Sequence, residues 1–486
     1  MPGVTITTAV RTGATNTGTA PAATFFVAGE TERGIDTSAI LVTSLEDYQT
    51  KFGAHATGHY TWLTLKTFFE EGGIQAYVAR TTASAAASAS IAMLCNTSDP
   101  GITLTAVGAG TWGNDLEVIV DNTGTEFSLV INYADATVYS ATYSTIAEAV
   151  YAINNSADAQ YYCTAALTAG ADGTDLLKDL AASNFTAGTD GSIAKSDFVT
   201  ALDLFTEDLG AGAVAIPGIA TGTGDSALYA GMQDHCAANN RVALCGFAST
   251  ATLAQAKSAS TGYTGSENHE FLAFYHPWVT IPIGNITATV PAEGYVAGAR
   301  ARNHNQAGPW KAYAGVASEA AYVTGTAIAV SRTEGDSMEA SRVNPIRVIN
   351  GRVRVYGARS HSTNTDQWRF ITARETINYI VVEANKRLED LVFSTIDGRA
   401  TLFANIIGAC RSVLEPVRIA GGLYEGFSAD GRRIDYGYTI KCDAGINPLA
   451  QLEGGTVKAR IGVRCASVGD KIEVELIKSN LTTALA

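Results

Sequence analysis

Three glycines at positions 108, 110 and 113 have the Gly-x-Gly-x-x-Gly spacing of a dinucleotide-binding turn, whose backbone can hold a pyrophosphate. A strand-like segment, residues 102–107, precedes them. Such a site also requires a helix directly after the glycines, because the helix N terminus binds the phosphates. Residues 115–120 alternate between apolar and polar side chains, which favours a strand. We therefore predict a tight turn in a β-rich domain at this place.

Histidines and cysteines give equally weak support for metal or nucleophile chemistry. His269 begins the pattern of a zinc-protease helix, but Ala273 occupies the position that requires a second histidine. His235, Cys236 and Cys245 lie in a helix and a strand without another histidine at ligand spacing, which favours buried core residues. The chain has no Gly-x-Ser-x-Gly elbow. We predict no catalytic residue, no metal ligand and no cofactor, and therefore a protein that is not an enzyme.

Composition limits the class of protein further. The chain has 486 residues, a net charge of −14 and 46% hydrophobic residues, which indicates two or three folded domains. An acidic chain lacks the excess of Lys and Arg needed to coat nucleic acid. The charge is unevenly distributed: residues 1–340 carry 13 basic and 32 acidic side chains, whereas residues 341–486 carry 20 and 15. The two parts are therefore expected to face different surroundings.

The expected compartment is the cytoplasm of the producing cell. The first residues show neither a basic segment nor an apolar segment of a secretory signal, and no stretch is long enough to span a bilayer. The seven cysteines are scattered and form no Cys-x-x-Cys pair, which is typical of reduced, buried thiols.

The pattern of the first 340 residues predicts an α/β domain interrupted by an insert. Residues 1–24 form an extended arm with a β-prone run at 4–8, and residues 25–82 alternate strand, helix, helix and strand. An Ala/Ser-rich linker at 83–90 leads into residues 90–193, which are β-rich and contain many turn residues. Helix and strand patterns resume at 195–340 and favour a parallel sheet flanked by helices.

Residues 341–486 have the clearest pattern. Asn350 and Gly351 lie between two strand-like runs and predict a hairpin with a type I′ turn. Two amphipathic helices are predicted at 373–392 and 400–417, and strands at 436–442, 456–465 and 471–477. The fold class is therefore a multidomain α/β and α+β protein.

Several short sequence segments, in a fixed order along the chain, resemble segments of the tail sheath proteins of contractile phage tails and related contractile injection systems. The most recognisable is Asn-Pro-Ile-Arg-Val-Ile-Asn-Gly-Arg-Val-Arg-Val-Tyr-Gly-Ala-Arg at 344–359. The others lie at residues 41–53, 68–80, 273–279, 291–298 and 308–315, and the helix after Arg369 and the final strands follow in the same order. The resemblance covers 25–80 and 195–480 well and 90–193 loosely.

This resemblance implies a structural subunit that forms stacked hexameric rings around an inner tail tube and contracts to drive the tube through a cell envelope. It implies a discontinuous sheath core domain, an inserted outer domain and a C-terminal inner domain at 341–486. The implied partners are other copies of the chain, the inner tube protein, and the baseplate and tail terminator proteins, with neither nucleic acid nor membrane bound directly. The expected location is a phage virion assembled in the host cytoplasm; a bacterial extracellular injection system or a pyocin-like particle is the alternative.

Two sets of residues follow as hypotheses. The terminal strands can pair with a neighbour's sheet edge through main-chain hydrogen bonds; an ordinary edge strand of its own domain is the alternative for 471–477. Basic side chains on the two C-terminal helices can face a tube with an acidic outer surface; solvated helix faces balanced by glutamates are the alternative. The linking residues are Val4, Ile6, Thr8, Ile472, Val474 and Leu476, and the tube-facing residues are Arg374, Lys386, Arg387, Arg411 and Arg418.

Two other classes remain as alternatives. A cytoplasmic α/β enzyme would bind phosphate at 108–113 or at 222–225 and would be a discrete particle. An adhesin of a tail or capsid would carry a receptor-binding domain at 90–193.

Overall fold

The computed structural model describes residues 23–221, 225–263 and 268–471, which form two compact units. The large unit contains the described residues up to 309 and residues 313–383, and the small unit contains residues 310–312 and those from 384 onward. The predicted linking residues Val4, Ile6, Thr8, Ile472, Val474 and Leu476 lie outside the described residues.

The chain enters the large unit through an α/β segment. Every residue of its first strand is buried, as expected of a central strand covered on both faces. Ser44 caps the first helix by accepting a hydrogen bond from the backbone N–H of Asp47 at 3.0 Å, as the capping pattern predicts. The elements are β1 (Thr24–Gly29), β2 (Ile40–Val42), α1 (Leu45–Phe52), α2 (Thr61–Glu70) and β3 (Ala76–Arg80).

The next residues form two small antiparallel sheets with a hydrophobic core of their own, which includes Trp112, Leu116, Phe127, Ile131 and Ile153. One sheet has the strand order β10-β6-β7-β8, and the other has the order β4-β5-β9. The elements are β4 (Ser90–Leu94), β5 (Pro100–Ala106), β6 (Leu116–Asn122), β7 (Phe127–Tyr133), β8 (Ala136–Tyr143), α3 (Ile146–Asn154), β9 (Cys163–Leu167) and β10 (Leu180–Asn184).

Alternating helices and strands then return to the first sheet. They are α4 (Lys195–Ala201), β11 (Gly212–Ala215), α5 (Ser226–Ala238), β12 (Val242–Cys245), α6 (Leu253–Gly262), β13 (Leu272–His276), β14 (Val279–Ile283), β15 (Ile286–Val290), α7 (Glu293–Ala307), β16 (Gly325–Thr326), α8 (Arg332–Ala340), β17 (Val343–Ile349) and β18 (Arg352–Val355). Strands β14, β15 and β16 form a separate three-stranded sheet.

The main sheet has eight strands in the order β18-β17-β13-β12-β11-β1-β3-β2. The six central strands are parallel, and the strand at each edge is antiparallel to its neighbour. One face packs Phe25, Val27 and Tyr295 into one core, and the opposite face packs Phe26, Val214 and Phe274 into another. The prediction of a mixed α/β fold with a helix-flanked parallel sheet is confirmed.

The hairpin of β17 and β18 has the predicted two-residue turn, with φ of 52° at Asn350 and 77° at Gly351. Its first strand pairs with β13 of the main sheet, so the hairpin belongs to the large unit. The small compact unit contains residues 310–312 and those from Ala384 onward. The domain boundary predicted at residue 341 stays a prediction.

The small unit packs a long helix against short strands. Its hydrophobic core contains Leu402, Ile406, Cys410 and Cys442. The last elements of the chain are α9 (Thr365–Trp368), α10 (Ile371–Glu389), α11 (Thr401–Ile419), β19 (Gly426–Phe427), β20 (Arg433–Asp435), β21 (Tyr438–Lys441), α12 (Leu449–Glu453) and β22 (Arg460–Val463). The residues of α10 up to Glu383 belong to the large unit, and those from Ala384 onward belong to the small unit.

Candidate assembly surfaces

The glycine motif at 108–113 forms a turn, as predicted. A short 3-10 turn, Thr111–Asp115, follows Gly110 and leads directly into β6. The carbonyl of Ala109 accepts a hydrogen bond from Arg80 Nη1 at 2.7 Å, which fixes this turn to the end of β3. Because a strand takes the place of the required helix, these glycines lack the N-terminal amides that would bind a phosphate. The other phosphate candidate is the segment 222–225, of which residues 222–224 lie outside the described residues.

Of the candidate metal and nucleophile residues, the two cysteines lie in the core of the large unit, whereas His235 and His269 are half-buried. Cys236 and Cys245 are buried, and burial raises the pKa of both thiols well above the ordinary value. Burial together with the nearby guanidinium of Arg241 lowers the pKa of His235 to about 4, and its Nε2 lies 3.0 Å from Arg241 Nη1. Across residues 23–221, 225–263 and 268–471, no three His, Cys, Asp or Glu side chains are grouped to hold a metal ion. No described helix has the length and apolar character of a membrane span.

Three of the basic residues predicted to face a tube are exposed on the small unit. Lys386 and Arg387 occupy the last turn of α10, and Arg411 lies midway along α11. The buried side of α11 carries Ile406, Cys410 and Val413, so this helix presents Arg411 away from its core. These side chains can contact an external acidic surface without unfolding any element.

Arg374 belongs to the interior, in contrast to the predicted polar face. Its side chain is buried in the large unit, and its guanidinium carbon lies 4.5 Å from the ring centre of Phe271 and 4.8 Å from that of Trp368. Its Nε donates to Asn378 Oδ1 at 2.9 Å, and Asn378 in turn donates to the carbonyl of Arg241 at 3.0 Å. Arg374 therefore anchors α10 within the large unit, and we leave it out of the proposed tube-facing surface.

The guanidinium of Arg418 forms its contacts within the small unit. It donates to Glu415 Oε1 at 2.5 Å and also to Glu425, and these hydrogen bonds to the two carboxylates raise the pKa of Arg418. The guanidinium carbon lies 5.4 Å from the ring centre of Tyr436. Because two carboxylates already neutralise this charge, Arg418 is better suited to hold the end of α11 than to attract an acidic partner.

The small unit also contains a two-stranded antiparallel sheet, in which Thr439 pairs with Gly462 and Ile440 with Ile461. Ile440 and Ile461 pack against the core below, whereas Thr439 and Gly462 are exposed. Within the described part of the chain, neither β21 nor β22 pairs with a third strand. An unpaired strand edge carries main-chain donors and acceptors that another extended segment can bind.

Sequence reasoning missed one further surface of the small unit, the hairpin formed by β19 and β20. Its short strands of two and three residues give no alternating pattern long enough to recognise. The only signal is the local density of aromatic and arginine residues between 424 and 436.

No protein-family model and no curated protein matches the chain. Solved structures do match. The sheath tail protein from Listeria innocua has a TM-score of 0.60 at 13% identity, over 90% of this chain and 91% of that chain. The contracted helical sheath of the anti-feeding prophage gives 0.57 at 15% identity, over 99% of both chains. The contracted sheath of the PVC extracellular contractile injection system gives 0.54 at 16% identity, over 99% of this chain and 98% of that chain.

Identities this low establish the fold alone. The chain has the fold of the contractile sheath proteins over nearly its full length, as the resemblance of its sequence strings implies. Within that class, its matches include both a tail sheath protein and the sheaths of extracellular injection systems.

Proposed function

We propose that the chain is a structural subunit of a contractile sheath, which polymerises as stacked hexameric rings around an inner tube and contracts to drive the tube through a cell envelope. The observation that carries this proposal is the match in fold over 99% of this chain to the contracted helical sheath of the anti-feeding prophage. A phage virion, assembled in the host cytoplasm, is the proposed location. A bacterial extracellular injection particle or a pyocin-like particle is the second candidate, favoured by the equally complete match to the PVC sheath.

Main-chain pairing is the proposed link between subunits. The residues around Val4, Ile6 and Thr8 of one copy, and those around Ile472, Val474 and Leu476 of another, add as strands to the open edges of the β21–β22 sheet. A six-residue strand forms about five or six hydrogen bonds, each contributing about 0.5–1.5 kcal/mol net, so each link is stable by several kcal/mol. Such a link depends little on side-chain fit, so it persists while the domains of neighbouring copies change their orientation.

Charge is the proposed basis of the contact with the tube. Lys386, Arg387 and Arg411 face an acidic tube surface, and exposed ion pairs of this kind contribute only about 0–1 kcal/mol each. A weak, screened contact suits a surface that must release the tube on contraction. The insert at 90–193, with 12 acidic side chains and one basic, would be repelled by the same tube and is proposed to face outward. The baseplate and the tail terminator are the proposed partners at the two ends of the polymer.

The tube contact is testable by charge reversal. We expect the double variant Arg387→Glu/Arg411→Glu to form polymers normally but to bind the purified inner tube protein roughly ten- to a hundredfold more weakly at low salt, because two attractions become repulsions. Co-sedimentation with preformed tubes measures this affinity. Arg332→Glu, an exposed arginine on α8, is the matched control and is expected to bind normally. Equal tube binding by the double variant and the control would refute this surface.

The proposed function is testable through the size of the particles that the purified chain forms. Sedimentation velocity of the unmodified chain should show species far larger than a hexamer that grow with concentration. A monomer that stays a monomer at every concentration and binds a nucleotide would favour the enzyme class instead.

A further inference from the structure

The insert at 90–193 and the rest of the large unit have separate hydrophobic cores. Trp112, Phe127 and Ile131 belong to the cluster inside the insert, and in the described part of the chain none of that cluster's buried residues belongs to the two clusters beside the main sheet. Domains whose contact is not large and hydrophobic are expected to move relative to one another. A fixed orientation of the insert therefore depends on polar contacts.

Arg33, a buried residue between β1 and β2, binds both parts of the large unit. Its Nη2 donates to the Thr50 carbonyl of α1 at 2.9 Å and to the Tyr162 hydroxyl of the insert at 3.0 Å. Its guanidinium carbon lies 4.3 Å from the ring centre of Tyr162 and 5.4 Å from that of Tyr133 on β7. A guanidinium combines a planar fork of donors with a face that stacks on aromatic rings, and a lysine lacks both.

Glu32 makes a second bridging contact. Its Oε2 accepts the backbone N–H of Ala54, just after α1, and its Oε1 accepts the Tyr133 hydroxyl of the insert at 3.1 Å. Burial and the Glu32 carboxylate raise the pKa of Tyr133, so this hydroxyl keeps the proton that it donates. Two adjacent side chains thus each join the α/β part of the large unit to the insert.

The glycine motif at 108–113 makes the third contact. The backbone N–H of Ala109 donates to Asp36 Oδ2 at 2.8 Å, and the Ala109 carbonyl accepts from Arg80 Nη1. A Cβ on Gly108 would lie 2.1 Å from the carbonyl oxygen of Gly34. The first glycine of the motif is therefore required by the close approach of two backbones, one from each part.

We propose that Glu32, Arg33, Asp36 and Arg80, together with the turn at 108–110, form a lock that holds the insert in one orientation, so that the insert follows every movement of the main sheet. Asp36 Oδ2 lies 3.7 Å from Arg80 Nη1, and only 13% and 6% of the two side chains are exposed. Because the two hydrophobic cores are separate, loss of one bridging side chain should release the insert. All of these contacts lie within one chain, so the lock is testable whether or not the chain polymerises.

The orientation of the insert is measurable by double electron–electron resonance on the full-length chain. Spin labels are attached at two exposed positions, Tyr151→Cys on α3 and Asp336→Cys on α8, in a chain whose half-buried Cys465 is replaced by serine. We expect one narrow distribution of distances with the native lock. Arg33→Met keeps the apolar stem but loses the donors and the charge, and should widen the distribution severalfold. The matched control is Arg352→Met, which changes an arginine side chain that is 65% exposed and should leave the distribution narrow.

Hydrogen exchange measured by mass spectrometry locates the opening. The backbone N–H groups of Ala54 and Ala109 donate to carboxylates of the lock, so peptides that contain them should exchange roughly ten- to a hundredfold faster in Arg33→Met. Gly108→Ala should give the same two changes from the side of the insert. Gly262→Ala, where a Cβ meets no other atom within 4 Å, is the control and should exchange as the unmodified chain does.

A narrow distribution in Arg33→Met, or unchanged exchange at both segments, would overturn the lock. A wide distribution in the chain with the native lock would overturn it as well. Exchange that rises equally along β6 and β7 would show that the insert has lost its stability rather than its attachment, and this result would also contradict the proposal.

Discussion

Val474→Pro is expected to yield a folded monomer that no longer forms tubes. Proline lacks the backbone N–H and cannot take part in a continuous ladder of hydrogen bonds. The proposed link is stable by several kcal/mol, so its loss lowers the association constant roughly a hundred- to ten-thousandfold. Because each copy repeats this loss, the polymer should disappear at concentrations at which the unmodified chain is fully assembled. Electron microscopy and sedimentation of the same preparations measure both effects.

The same change elsewhere in each tail provides the control. Thr482→Pro lies beyond the predicted C-terminal strand, and Thr17→Pro lies beyond the predicted strand at 4–8, so both chains should assemble normally. Ile6→Pro should resemble Val474→Pro. Normal extended tubes from either Ile6→Pro or Val474→Pro would show that the segment concerned does not link subunits.

Glu375→Gln is expected to lower the free energy of unfolding of the large unit by about 3–5 kcal/mol, because it leaves a buried arginine without its counter-charge. Glu375 Oε1 lies 2.5 Å from Arg300 Nε, and Oε2 lies 3.3 Å from His304 Nε2; all three side chains are buried. The pair joins α7 to the first half of α10. Urea denaturation followed by circular dichroism measures the change.

Two further variants separate this ion pair from a general effect of substitution on α10. Glu389→Gln changes an exposed glutamate at the end of the same helix and should alter stability by less than about 0.5 kcal/mol. Arg300→Met/Glu375→Met replaces both charges with apolar groups and should recover most of the loss. If Glu375→Gln alone is as stable as the unmodified chain, the ion pair of Glu375 and Arg300 does not anchor α10.

The Glu375 carboxylate also gives a pH dependence with a defined sign. Burial raises its pKa, but Arg300, His304 and their hydrogen bonds lower it more, and the net pKa lies below the ordinary value. The stabilisation is therefore fully present above the pKa of an unfolded glutamate, about 4.3, and is lost as the pH falls through the lower folded value.

Local patterns were sufficient to predict much of the fold. The buried strand Thr24–Gly29, the cap at Ser44 and the turn at Asn350 and Gly351 depend on residues within a few positions of one another. The glycines at 108–113 are predictable as a turn because the residues that follow them alternate between apolar and polar side chains, as a strand does. The order of strands in the main sheet depends on pairings such as Phe274 with Val343, which no local pattern contains.

The assembly surfaces were predicted less completely, because burial is set by distant residues. The helical period alone assigns Arg374 to a polar face, but Phe271, about a hundred positions earlier in the chain, covers it in the folded unit. Arg418 has its charge neutralised by Glu425, which follows the end of its helix. Lys386, Arg387 and Arg411 are exposed, and their role at a tube stays a prediction.

Negative-stain electron microscopy of the purified, unmodified chain tests the sheath assignment most directly. The account predicts long hollow tubes with regular transverse striations, formed from this one protein without any ligand. Discrete, uniform particles at every protein and salt concentration would contradict it.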